Sequence, residues 1–248
     1  MGVKMAEFQD WIFTGLYSPG TLIKAPSERA HLISDLASAM EQWHLEFKQI
    51  NSDGVNAPQV FNMSRGNWDI SYYSTLTLLY HAASSTGPGL QISSPCFNAA
   101  RNSLLAHLNC FPQYQKSNIL SDGEYFHWIL LFSSFTPFLV NFLHAISAKD
   151  TESVTLLAKV LTTFENFRKA SQGSEHLYQI CATFTQIAER LDQSRLSIGT
   201  YNQEDDSLKL SDQSETTPLF HPDTFQDMFE IDDMTRVTSL YATDILND

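Results

Sequence analysis

YFHWILLFSSFTPFLVNFLHAISA, residues 125–148, is a run of 24 residues without a single charge. That length can cross a bilayer as a helix. The interior of the run argues for a different role. Pro137 falls near its middle, and His127, Ser133, Ser134, Thr136, Asn141 and His144 dilute its apolar character. Asp122 and Glu124 stand on the N-terminal side, where no base flanks the run closely. Pro137 removes one backbone hydrogen bond and its ring clashes with the previous turn, so a kink or split is expected near Thr136. The run therefore reads as a kinked helix buried at the centre of a bundle, and no membrane association is expected.

Helical spacing extends outward from it in both directions. Leu32, Leu36, Met40, Trp43, Phe47 and Ile50 alternate steps of three and four, which lays one stripe along a helix that Ser27 is placed to cap. Residues 51–66, rich in Asn, Gly and Pro, read as a loop. A helix from about Trp68 to Ala83 follows, stopped by Thr86-Gly87-Pro88-Gly89. Ser94-Pro95 signals the next start, with Phe97, Ala100, Leu104 and Leu108 on one face and Pro112 just past its end. Ser121 and Glu124 have the spacing of a capping box. Val154, Leu157, Leu161 and Phe164 mark one later helix. Leu177, Ile180, Phe184, Ile187 and Leu191 mark another, capped by Ser174 and separated from the first by Gly173. No strand alternation and no internal repeat competes with this pattern.

The expected fold is thus all-α, an irregular multi-helix bundle with a central kinked apolar helix and an acidic, partly disordered C-terminal tail. Residues 1–26 form an N-terminal segment, 27–192 the helical body, 193–217 a Ser/Gln/Asp/Thr-rich linker, and 218–248 the acidic tail.

Charge divides along the same line. Residues 201–248 hold twelve Asp/Glu and two Lys/Arg, whereas residues 1–200 hold sixteen and thirteen. A nearly neutral body is followed by a tail that repels phosphate, so direct nucleic-acid contact by this chain is not expected. The three cysteines, Cys96, Cys110 and Cys181, form no CxxC pair, and the eight histidines show no ligand spacing. Neither a metal nor a cofactor is expected. Glycine-rich phosphate loops and GxSxG are absent. Cys96 at a helix start is a small buried residue before it is a nucleophile, and Asp232-Asp233 with Glu230 belong to a solvated acidic run. The chain is not expected to be an enzyme.

Two residue sets remain as candidates. Trp68, Tyr72, Tyr73, Tyr80 and His81 carry apolar bodies with polar tips, suited either to a ligand pocket or to core packing with the tips outward. In the tail, Phe220, Phe225, Met228, Phe229, Ile231 and Met234 alternate with acids that keep them solvated. That segment can fold as a short amphipathic helix into a partner's groove, or dock on its own bundle.

Over about Leu32–Leu191, the order of these pieces resembles the middle homology region of fungal zinc-cluster transcription factors. Trp43 ends a leucine-rich helix, and the Tyr72–His81 helix follows. The helix start Cys96-Phe97-Asn98-Ala99-Ala100-Arg101 comes next, then the apolar helix with Phe135-Thr136-Pro137-Phe138. The resemblance implies a nuclear regulatory domain of a transcription factor that controls metabolic or biosynthetic genes of secondary metabolism. Its partners would be the transcription machinery or a DNA-binding protein, and it would respond to a small-molecule effector. The six-cysteine DNA-binding cluster of that family has no counterpart here, and His81-Ala82-Ala83 stands where family members often carry an aromatic-arginine-proline run. Without the resemblance the expected location is cytoplasmic, and the competing reading is a helical small-molecule-binding protein or enzyme of secondary metabolism.

Overall fold

A computed structural model describes residues 2–201 except 24, 52, 53, 55, 85–91, 118, 127–129, 131, 132 and 134. The six tail residues from Phe220 to Met234 lie outside the described residues. The described chain is all helix and turn, with no strand among the described residues.

Residues 1–26, expected as a segment apart from the helical body, contribute to its core. Helix α1, Gly2–Ile12, runs into a π-helical turn, Phe13–Tyr17, and a short 3-10 segment, Pro19–Ile23. Met5, Phe8, Ile12 and Leu16 share one cluster with Leu36, Met40 and Trp43 of α2, Pro26–Gln49. The same cluster takes in Tyr72, Leu76 and Leu79 of α3, Pro58–Ser84. Phe8 is wholly buried, and truncating it would cost about 3–5 kcal/mol through lost transfer energy and a cavity. Helix α2 starts at Pro26, one residue ahead of Ser27, with Ala25 as its cap and no side-chain cap bond. Proline in the first turn supplies a preset φ where no N–H is needed.

Two helices outrun their sequence signals. Helix α3 begins at Pro58, so the stretch expected as a loop through residue 66 is largely helical. Gly66 sits inside it because α3 passes close to α4, Ser94–Ser117: a Cβ at Gly66 would lie 2.9 Å from Cys110 Sγ and 3.2 Å from its Cβ. Helix α4 runs through Pro112 to Ser117. The lost backbone bond costs about 3 kcal/mol. Burial of Phe111 and Tyr114 on either side of Pro112 offsets it, each worth about 1.5–3 kcal/mol. The cap at the start of α4 is Ser93, whose Oγ accepts from Cys96 N at 3.4 Å, one residue before the expected Ser94.

Ser121 and Glu124 make the expected capping box ahead of a single turn, α5, Asp122–Tyr125. Helix α6, Phe135–Ala148, includes Thr136 and Pro137, so the helix is not split at Thr136 as the proline led one to expect. Among the described residues, no helix is long and apolar enough to cross a membrane. Asn141, fully buried in α6, donates from Nδ2 to Pro137 O at 2.8 Å. Helix α7, Thr151–Phe164, is capped by Asp150, whose carboxylate accepts from Glu152 N at 3.0 Å.

Helix α8, Gln172–Tyr201, is capped by Ser171 rather than Ser174: Ser174 N donates to Ser171 Oγ at 3.1 Å and Ser171 N to Ser174 Oγ at 2.9 Å. Gly173 lies within its first turn, and the helix continues to Tyr201, past the expected linker start at 193. Its inward face carries Leu177, Cys181, Phe184 and Ala188, with Phe184 stacked on Phe142 of α6 at 4.6 Å between ring centroids.

Candidate functional site

The five aromatic and histidine candidates all lie on α3, and helical geometry sends them in different directions. Trp68 and Tyr72, four residues apart, turn into the core, where Trp43 meets both rings at 6.3 and 6.5 Å. Tyr80 is half-buried between two core clusters. Burial raises the Tyr72 and Tyr80 pKa values and lowers that of His81, so all three are neutral near pH 7. Tyr73 alone of the five lines an open depression on the protein surface.

That depression is a groove of about 480 Å³ where the end of α2 meets the facing sides of α3 and α4. Helix α3 supplies Asn62, Gly66, Asp69 and Tyr73, whose spacing of four, three and four places them on one face. Helix α4 supplies Asn102, Leu105, Asn109 and Gln113, again one face, and α2 supplies Lys48. Half of the α3 set falls in the stretch expected as a loop. That is why sequence reasoning missed the face, although the spacing of Asn102, Asn109 and Gln113 on α4 was readable.

A hydrogen-bonded carboxylate anchors one end of the groove. His44 Nε2 donates to Asp69 Oδ1 at 2.6 Å, and Lys48 Nζ lies 3.5 Å from the same oxygen. Burial works against the Asp69 charge, but the bond from His44 and the charge on Lys48 outweigh it, and its pKa lies below the ordinary value. His44 is itself held in place: its ring stacks on Tyr72 at 3.8 Å and meets Tyr73 edge-on at 5.7 Å. The side chain of Arg65, one turn before Asp69, donates to Lys48 O at 2.7 Å and ties α3 to the end of α2.

Behind the groove lies a second, dry polar group. Thr163 Oγ1 donates to Val160 O at 2.6 Å, so it accepts from His107 Nε2 at 2.7 Å. His107 Nδ1 is then left to accept from Tyr125 OH at 3.2 Å, which assigns the Nε2–H tautomer. Full burial pushes the His107 pKa down to about 3 and keeps the ring neutral. Cys110, on the groove floor, donates to Asn67 Oδ1 at 3.2 Å, and burial pushes its thiol up to about 11. Burial also raises Cys96 to about 12 and raises Cys181 further. No described cysteine is a thiolate near neutral pH, so none is poised as a nucleophile.

Arg29 is a buried cation that closes the other side of the bundle. Its guanidinium donates to Leu16 O, Thr21 O and Ala82 O at 3.3, 3.4 and 3.1 Å. Tyr17 OH adds a bond to Leu78 O at 2.7 Å. These bonds join the N-terminal turns to the last two turns of α3. Among the described residues, no three His, Cys, Asp or Glu side chains are grouped to hold a metal ion. Comparison with protein-family profiles, curated proteins and solved structures found no match to this chain.

Proposed function

We propose that this chain is the regulatory module of a transcription regulator, similar to the effector half of fungal zinc-cluster factors, acting in the nucleus. The acidic, aromatic-studded segment 218–248 engages the transcription machinery, and the helical body restrains its output. DNA recognition comes from a partner protein. The observation that carries this reading is the charge division: a body with sixteen acids against thirteen bases is followed by a tail with twelve against two, its large apolar residues set among the acids. Acids spaced among aromatic residues keep the apolar groups solvated until a partner's groove takes them up.

A second reading, a helical small-molecule-binding protein, is favoured by the groove at α2, α3 and α4, where polar side chains converge. The two readings are compatible, because a regulatory body needs a site at which an effector acts.

The test fuses residues 200–248, and separately the whole chain, to a heterologous DNA-binding domain and reads reporter output. An active tail fusion with a weaker whole-chain fusion is the expected result. A silent tail overturns the activation role, and equal output from both fusions overturns the restraint.

A further inference from the structure

The geometry points to the α2–α3–α4 groove as a binding site for a small, uncharged polyhydroxy compound, a free sugar or cyclitol. The inference rests on the regulatory reading above only in calling that ligand an effector.

Four properties of the lining select the class. First, the volume of about 480 Å³ suits a small molecule and is modest for a folded partner. Second, the charged groups at the rim are one base and one acid, Lys48 and Asp69, 3.5 Å apart. They cancel, so the groove holds no surplus positive charge for a phosphate or carboxylate and no surplus negative charge for an amine. Third, most of the remaining polar lining is carboxamide: Asn62, Asn102, Asn109 and Gln113. Each carboxamide offers a donor and an acceptor together. A hydroxyl also donates and accepts at once, so a carboxamide satisfies both of its roles, and neighbouring carboxamides satisfy adjacent hydroxyls. Fourth, the half-buried ring of Tyr73 forms a wall. An aromatic face covers the C–H side of a sugar ring, the one apolar surface such a molecule has.

Asp69 completes the site. His44 and Lys48 both contact Oδ1, which leaves Oδ2 as an acceptor for a ligand hydroxyl. The carboxylate does not need to reorganise, because His44, clasped by Tyr72 and Tyr73, already fixes it. A ligand on Oδ2 would share Asp69 with the residues that join α2 to α3. Occupancy of the groove is thereby felt in the packing of the bundle.

The experiment titrates the full chain with D-glucose, D-xylose and myo-inositol to about 50 mM, a range that covers dissociation constants near 1 mM. Calorimetry and ligand-observed NMR report binding, with D-glucose 6-phosphate and tetra-alanine as comparison ligands. Asn102 and Asn109 are solvent-exposed, so Asn102→Ala and Asn109→Ala leave the fold intact, which circular dichroism verifies. Saturable binding of at least one neutral polyol, weakened about five- to tenfold by each substitution, is the expected result. Three results overturn the inference: none of the three polyols binds saturably; the variants bind them unchanged; or the phosphorylated sugar or the peptide binds more tightly than every polyol. Reporter output does not enter this readout, so a failure here leaves the activation role standing, and a silent reporter leaves the binding result standing.

Discussion

Replacing His107 by Gln should flatten the acid side of the stability curve. In the folded protein the His107 imidazole is neutral, donating to Thr163 and accepting from Tyr125 at 2.7 and 3.2 Å. Its pKa is pushed down to about 3 by burial, against an ordinary value of 6.5 in the unfolded chain. Below pH 6.5 the unfolded chain takes up a proton at this position that the folded protein refuses. Stability from this group is therefore complete above the unfolded pKa and is lost as pH falls towards the folded one. Between about pH 7.5 and about pH 5 the linkage amounts to about 2 kcal/mol. His81, also shifted down by burial, acts in the same direction but is common to both chains and cancels in the comparison. The assay is urea unfolding of wild type and H107Q at the two pH values. H107Q is less stable than wild type at the higher pH, because glutamine cannot reproduce both bonds. The wild type then loses about 2 kcal/mol more than H107Q on acidification. An equal loss in the two chains would refute the buried, neutral assignment.

Three further outcomes follow from the packing. Gly66→Ala sets a methyl 2.9 Å from Cys110 Sγ and should destabilise by about 1–3 kcal/mol in thermal melting. An unchanged melting temperature would contradict the close α3–α4 approach. Arg29→Lys replaces a fork that reaches Leu16, Thr21 and Ala82 carbonyls by one ammonium, and should cost about 1–3 kcal/mol. Faster amide hydrogen exchange in Phe13–Tyr17 is the local signature, and unaltered exchange there would count against the clamp. Cys96, Cys110 and Cys181, all buried with raised pKa values, should resist a thiol reagent near pH 8 until denaturant is added. Fast labelling of any one in the native protein would show that its site is open.

Much of the local structure was legible because a helix signals itself within a turn or two. Of the stripe Leu32, Leu36, Met40, Trp43, Phe47 and Ile50, the middle four are buried as the spacing requires, while Leu32 is half-buried and Ile50 is exposed past the helix end; Ser121 and Glu124 close their capping box. The misreadings share one cause. Gly66, Pro112 and Gly173 each look like punctuation, yet all lie inside helices. At Gly66 the partner helix needs the missing side chain, and at Pro112 burial of the flanking Phe111 and Tyr114 outweighs the lost bond. Neither partner is visible from the local sequence.

The candidate site followed the same rule. Trp68, Tyr72, Tyr73, Tyr80 and His81 stood out by type, but the helix disperses them, and only Tyr73 reaches the groove. His44, Lys48, Asp69, Asn102 and Asn109 drew no notice, being ordinary polar residues on three separate helices. By itself, the sequence determined the all-helical class and the division of charge between body and tail, because periodicity and charge are local properties of the chain. The tertiary structure alone decided that Asp69 meets His44 and Lys48 beside a carboxamide-lined groove. That meeting depends on which helix faces pair, and the pairing is set by close approach at Gly66 and by burial shared among helices far apart in the sequence.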